Sequence, residues 1–302
     1  STANEDSTSM KAVNAAAYIV ITGGKLQLDS ADDAVHCNAT IVISGGQLDI
    51  ASGDDGIHAD ATISIEGGTI NLTKSYEGIE GAAITISGGD LSIVASDDGL
   101  NVAGGNDGSS LGNRPGRNEF AVVDSNQLVI TGGTIRVDAA GDGMDSNGHI
   151  TMSGGMVMVN GPTSSGNGAL DYNGTFKISG GVLIAAGSAG MAQAPSADSE
   201  QASIMMSFSK TQSAGTSLSL LDADGRVLVT AAPTKVFQTV VISSPDLKQG
   251  GTYTLSVNDQ NLVTFDVSQS ITYLTESGVT QSSPGGGFGG PGGGFGRQPG
   301  RP

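Results

Sequence analysis

Acidic residues recur in this chain at a spacing that would stack them. Nine residues after the second glycine of successive Gly-Gly pairs stand Asp33, Asp55, Glu77, Asp98 and Asp142. Asp32, Asp54 and Asp97 directly precede three of these, and three residues downstream come His36, His58, Glu80, Asn101 and Asp145. If each repeat is one coil of stacked strands, equivalent residues lie about 4.8 Å apart. Two carboxylates at that distance repel by roughly 3 kcal/mol at an effective dielectric near 20, and by about 1 kcal/mol in water. A bound divalent cation reverses the sign. Ca2+ is the expected ion, because it takes about six to eight oxygen ligands in loose geometry. The expected metal-holding set is Asp32, Asp33, Asp54, Asp55, Glu77, Asp97, Asp98, Asp142 and Asp145. The competing reading is a solvated corner where Asp-Gly and Asn-Gly serve only the backbone. Doubled aspartates, and Glu77 where a turn would prefer Asp or Asn, favour metal.

Other chemistry fits less well. His36 and His58 stack on consecutive coils, but no third nitrogen or sulfur ligand joins them, so solvent-facing histidines are expected in place of a zinc site. Cys37, the sole cysteine, is read as a small core residue next to His36. Asp222-Ala-Asp-Gly225 resembles a calcium loop but lacks a downstream glutamate, so a hairpin turn is expected. A calcium-dependent lyase would need a lysine or arginine of lowered pKa beside the metal. Lys74 alone lies near the acids by spacing, with Arg136 on another outward position.

The elements that must position the acids follow from a repeat. Gly-Gly pairs begin at residues 23, 45, 67, 88, 132, 154 and 180, in steps of 22, 22, 21, 44, 22 and 26. The 44 is one unit plus a 22-residue insertion, and the 26 is one unit with a longer loop, in which three extra residues put Asn167 at the acid position. Apolar residues stand four and two positions before each pair, as in Ile19/Ile21 and Ile41/Ile43, and again after it, as in Leu26/Leu28 and Leu48/Ile50. Another closes each unit, as Val35 and Ile57 do. Alternation over four or five residues marks strands with one buried face. Self-similarity at a fixed period means a solenoid. The expected fold is all-β: a right-handed parallel β-helix of about seven 22-residue coils over 17–195, with a loop inserted at 104–127. Residues 1–16 form an N-terminal cap or extension. Residues 196–283 lose the period but keep alternation and turn signals, which predicts a small antiparallel module. The Gly/Pro-rich tail 284–302 carries Phe288, Phe295, Arg297 and Arg301, read as assembly anchors on a neighbouring molecule, against a flexible spacer.

Composition narrows the partners. Of 302 residues 48 are glycine and none is tryptophan, which speaks against helical domains because glycine disfavours helices. A net charge of −17 repels phosphate backbones, so nucleic acid is excluded as an expected partner. No apolar run approaches the roughly 18 residues of a membrane span. The chain is read as secreted, its signal peptide already removed.

The runs DDGIHAD at 54–60, SYEGIEGA at 75–82, SDDGLNVAGG at 96–105, GDGMDSNG at 141–148, GNGALDYNGTF at 166–176, AGMAQAP at 189–195 and VVISSPDL at 240–247 closely resemble the carbohydrate-binding domain-containing proteins. The resemblance covers about residues 15–280. It implies an extracellular or cell-surface β-helix, similar in fold to pectate lyases, with bound calcium and affinity for cellulose or polygalacturonate, without demonstrated lyase activity. Exposed candidates for the sugar are Tyr76, Glu77, Glu80, Asp98, Asn101, Asp145 and Asn147. Two further classes stay open: a structural subunit of an extracellular fibre, possible as a homopolymer through coil ends or the tail, and the lyase. In the insertion, Arg114 and Arg117 fit either a plain surface loop or a contact with an anionic ligand.

Overall fold

Stacked strands of alternating burial account for nearly all the regular structure. The computed structural model describes residues 10–102 and 121–282, and among them there is no helix. Seven coils wind into three parallel faces. The first face carries short strands, Val13–Ala15, Val35–Cys37, Leu100–Val102, Met144–Ser146 and Leu170–Tyr172, with the starts of Ile57–Ile65 and Ile79–Ile86 between them. The second face aligns Ile19, Ile41, Ile63, Ile84, Leu128, Ile150 and Phe176. The third aligns Leu26, Leu48, Ile70, Leu91, Ile135, Val157 and Leu183. Their inward side chains form one continuous core, with most members fully buried. Each such side chain contributes about 1.5–3 kcal/mol by leaving water.

The glycine repeat has two causes. The second glycine of each pair adopts positive φ, from +83° to +102°, which side chains resist. At the Asp-Gly and Glu-Gly turns the coils approach too closely for a Cβ. One placed on Gly78 would lie 2.3 Å from the Gly99 carbonyl oxygen and 2.4 Å from Ile93 Cγ2. That close stacking is what presses the acidic corner together.

The repeat begins earlier than its first glycine pair. Val13–Ala15 pairs in parallel with Val35–Cys37, so residues from 10 onward lie in register ahead of the first coil. The 22-residue excursion after Val102 leaves stacking undisturbed, since Leu100 pairs with Met144 and Ala83 with Gln127.

At the other end the antiparallel module closes the stack. Phe237–Ser243 pairs antiparallel with the last third-face strand, and Ser203–Gln212 and Ile271–Thr275 extend that sheet. A four-stranded sheet follows, in the order Val227–Ala231, Leu218–Asp222, Thr252–Val257, Gln260–Asp266. The outward row of the third face reads Gln27, Asp49, Asn71, Ser92 and Arg136, then turns apolar at Met158 and Ile184. Met158 and Ile184 belong to the module's own apolar cluster. Lys235 Nζ reaches back to Asp138 Oδ1 at 2.9 Å, and the Thr234 amide donates to Asn160 Oδ1 at 2.9 Å.

Candidate acidic ladder

Register turns the acid spacing into two neighbouring columns on the first face. The strand pairs align Asn14, His36, His58, Glu80, Asn101, Asp145 and Asp171 one above the other. Three residues earlier in each coil the same register aligns Lys11, Asp33, Asp55, Glu77, Asp98, Asp142 and Gly168. Backbone bonds run along this second column. The Asp55 amide donates to Asp33 Oδ1 at 3.2 Å, the Asp142 amide to Asp98 Oδ1 at 2.6 Å, and the Gly168 amide to Asp142 Oδ1 at 2.5 Å. Asp33, Asp98 and Asp142 thus each cap the turn of the coil above.

The ladder is not a solvated edge. Glu77, Glu80 and Asn101 are 3%, 2% and 3% exposed, which corrects their expected exposure. Tyr76, Asp98, Asp145 and Asn147 are half-buried. Tyr76 is hydrogen-bonded to Asp97, which with burial pushes its hydroxyl pKa up and ties it down. Asn147 lies beyond the end of Met144–Ser146 and accepts from Asn173 Nδ2 at 2.9 Å, so it stands outside both columns. The histidines do not face solvent either. His36 Nδ1 lies 2.8 Å from Asp33 Oδ2, and His58 Nδ1 lies 2.8 Å from Asp55 Oδ2 and 2.7 Å from Glu80 Oε2. Their rings stack at 4.9 Å.

The column begins with a cation of its own. Lys11 Nζ bonds Asp33, lies 3.7 Å from Asp32 and 3.1 Å from His36 Nδ1. Burial pushes Asp33 up, but the bonds from His36 and Lys11 outweigh it and hold the carboxyl at about 2. Further along, the shifts reverse. Burial and the charges of Asp55, Asp33 and Asp32 raise Asp54 to about 6. Burial lifts Asp142 to about 7, with the Gly168 amide opposing and Asp171 and Asp97 adding. Burial, then neighbouring carboxylates, holds Asp98 and Glu77 well above the usual carboxylate range.

The ladder therefore suits cations. Lys11 occupies the first position as an internal one. Glu80 Oε1 and Asn101 Oδ1, acceptors on adjacent coils, are buried with no hydrogen-bond donor. Asn101 Nδ2 donates to Glu77 Oε2 at 2.6 Å, which keeps its carbonyl oxygen turned elsewhere. An oxygen-rich, donor-poor setting of this kind matches what a hard cation accepts.

Three residues were hidden from the spacing. Lys11 falls one 22-residue step before Asp33, but counting began at the first glycine pair. Asp171 and Gln193 extend the Asp145 column, Gln193 Nε2 donating to Asp171 Oδ1 at 3.0 Å. The sixth-coil position is Gly168 and not Asn167, because the 26-residue step holds four extra residues and all four precede it. Lys74 is exposed and Arg136 is bound to Asp90 at 2.8 Å, so neither serves the ladder. Phe288, Phe295, Arg297, Arg301, Arg114 and Arg117 lie outside the described residues.

A parallel β-solenoid with an internal acidic corner is the setting into which the comparisons fall. A family model described as carbohydrate-binding domain-containing protein matches residues 1–56. That stretch includes Lys11, Asp32, Asp33, Asp54 and Asp55. No curated protein and no solved structure matches the chain. No helix among the described residues is long and apolar enough to cross a membrane.

Proposed function

We propose that the protein is a non-catalytic carbohydrate-binding solenoid that acts outside the cell, its ladder holding Ca2+ between coils. The observation that carries the calcium part is the buried acceptor without a donor, Asn101 Oδ1, beside the raised carboxyls of Glu77 and Asp98. Glu77, Asp98 and Asn101 would hold the ion, which supplies positive charge to a corner otherwise short of it. The carbohydrate part draws support from the family match over residues 1–56. An acidic polysaccharide such as polygalacturonate would be recognised through bridging calcium, and cellulose through polar outward rows such as Gln27, Asp49 and Asn71. A lyase finds no support in Lys11, whose ammonium is committed to Asp33 and Asp32.

Affinity gels of the two polysaccharides, with calcium or with EGTA, test the reading. Calcium-dependent retention on polygalacturonate, without rising absorbance from unsaturated products, is the expected result. Retention unaffected by EGTA would remove calcium from the binding step, and product absorbance would make the protein an enzyme. A fibre is the second reading. Among the described residues Tyr18–Asp29 pairs only with Thr40–Ala51, leaving a 12-residue edge with Tyr18 and Val20 exposed. Unpaired edges of that length invite strand addition, and filaments in electron micrographs would support it.

A further inference from the structure

We infer that Asp55, His58 and Glu80 form a separate site for a borderline divalent ion of the zinc type, which cross-links two coils. Three kinds of observation converge. The His58 Nδ1 atom meets Asp55 Oδ2 at 2.8 Å and Glu80 Oε2 at 2.7 Å, and candidate ligand atoms of all three residues lie within 4.8 Å of one another. One ring nitrogen carries at most one proton, so two carboxylates aimed at it are an arrangement a metal ion satisfies better than a hydrogen does. The second observation concerns the other ring nitrogen. His58 Nε2 faces Asp60 Oδ1 at 3.4 Å, the carboxylate partner that turns a ligating histidine and fixes which nitrogen is offered. Third, Glu80 is 2% exposed and its Oε1 has no hydrogen-bond partner, so the carboxylate that meets His58 keeps unused, buried acceptor capacity.

The chemistry differs from that of the rest of the ladder. Zinc takes imidazole and carboxylate together at about 2.0–2.2 Å, and three protein ligands suffice where the fourth position is left to another donor. Calcium prefers oxygen alone. The neighbouring Asp33–His36 pair has the same residue types but already holds the Lys11 ammonium. Stacking against His36 fixes the ring plane of His58. Asp55 and His58 come from one coil and Glu80 from the next, so a bound ion staples the two.

The test uses the full chain stripped by a chelator, titrated with Zn2+ and, as a visible probe, Co2+, both in excess calcium. The expected outcome is one zinc bound per chain, a raised melting temperature, and Co2+ bands of a low-coordinate site with a nitrogen ligand. His58→Gln should abolish these while calcium uptake and circular dichroism stay unchanged. Should His58→Gln fail to fold, Asp60→Asn tests the same point, with an expected loss of about 10–100-fold in zinc affinity. Zinc binding that calcium displaces, or that survives both substitutions unchanged, would overturn the site. Because calcium uptake is read separately, failure here leaves the calcium reading standing, and the converse also holds.

Discussion

The two ends of the acidic ladder are built on the same register yet neutralise their charge differently. At the first coils the chain supplies its own partners: Lys11 sits on Asp33, and His36 and His58 face Asp33, Asp55 and Glu80. From Glu77 onward the acids continue, but among the described residues no lysine, arginine or histidine pairs with Glu77, Asp98 or Asp142. Within that column Asp33 is held down and Glu77, Asp98 and Asp142 are pushed up, while Asp54, beside the column and without a cation of its own among the described residues, is already raised. A periodic backbone thus fixes where charges stand, and the identity of a few side chains decides whether a proton, an amine or a metal ion balances them.

Making the first end resemble the second should have the largest effect. Lys11→Met leaves Asp33 buried and deprived of its ammonium, and breaking such a pair costs about 3–5 kcal/mol. Thermal unfolding without calcium should show that loss, and added calcium should restore part of it in the variant. A variant as stable as the parent would mean that Lys11 does not balance the column. The reverse experiment is smaller. Asp142→Asn keeps an acceptor for the Gly168 amide while removing a raised carboxyl, so stability at pH 8 should rise without calcium by about 1–2 kcal/mol. With calcium present the gain should shrink or change sign.

Acidity sharpens the contrast further. Asp54 and Asp142 have folded pKa values above their unfolded ones, so their stability is present below about 4 and lost as pH rises through about 6 and about 7. His58 is lowered by burial, but its bonds to Asp55 and Glu80 win and raise it to about 11, so its contribution declines from about 6.5 upward. Asp33 works in the opposite sense, its contribution vanishing as pH falls from about 4 towards 2. The calcium-free protein should therefore melt highest near pH 4–5 and lower at pH 8. Calcium, which needs carboxylates ionised, should raise the melting point more at pH 8 than at pH 5. A flat profile in differential scanning calorimetry would contradict the raised values. The smallest effect belongs to the exposed Arg136–Asp90 pair, where Arg136→Ala should cost less than about 0.5 kcal/mol and leave calcium uptake unchanged.

The glycine pairs and flanking isoleucines announced the coils, because only positive φ and an inward period of two satisfy that pattern. The acid column was legible for the same reason. Its burial was not, since alternation marks Glu80 and Asn101 as outward, and only the close approach at Gly78 and Gly99 reveals that this outward corner is closed. Lys11 was missed because nothing before the first glycine pair marks the register. Asn167 was placed wrongly because sequence alone does not say on which side of the acid position a loop's extra residues fall. The histidines were misjudged because Asp33 and Asp55, three residues before them, and Glu80 on the next coil turn towards them, and such pairing depends on rotamers that spacing does not specify.

The undisturbed stacking across the excursion after Val102 has a genetic consequence. Each coil meets only the coil before and the coil after, and Leu100 pairs with Met144 although 44 residues separate them. The stack does not register how much chain lies between its neighbours, only that the next strand arrives in phase. Duplication or loss of one whole unit, such as residues 40–61, would keep every column aligned and change only how many rungs the corner offers. Length is then a heritable dial, turned one rung at a time, and the number of ions such a protein could carry would follow it.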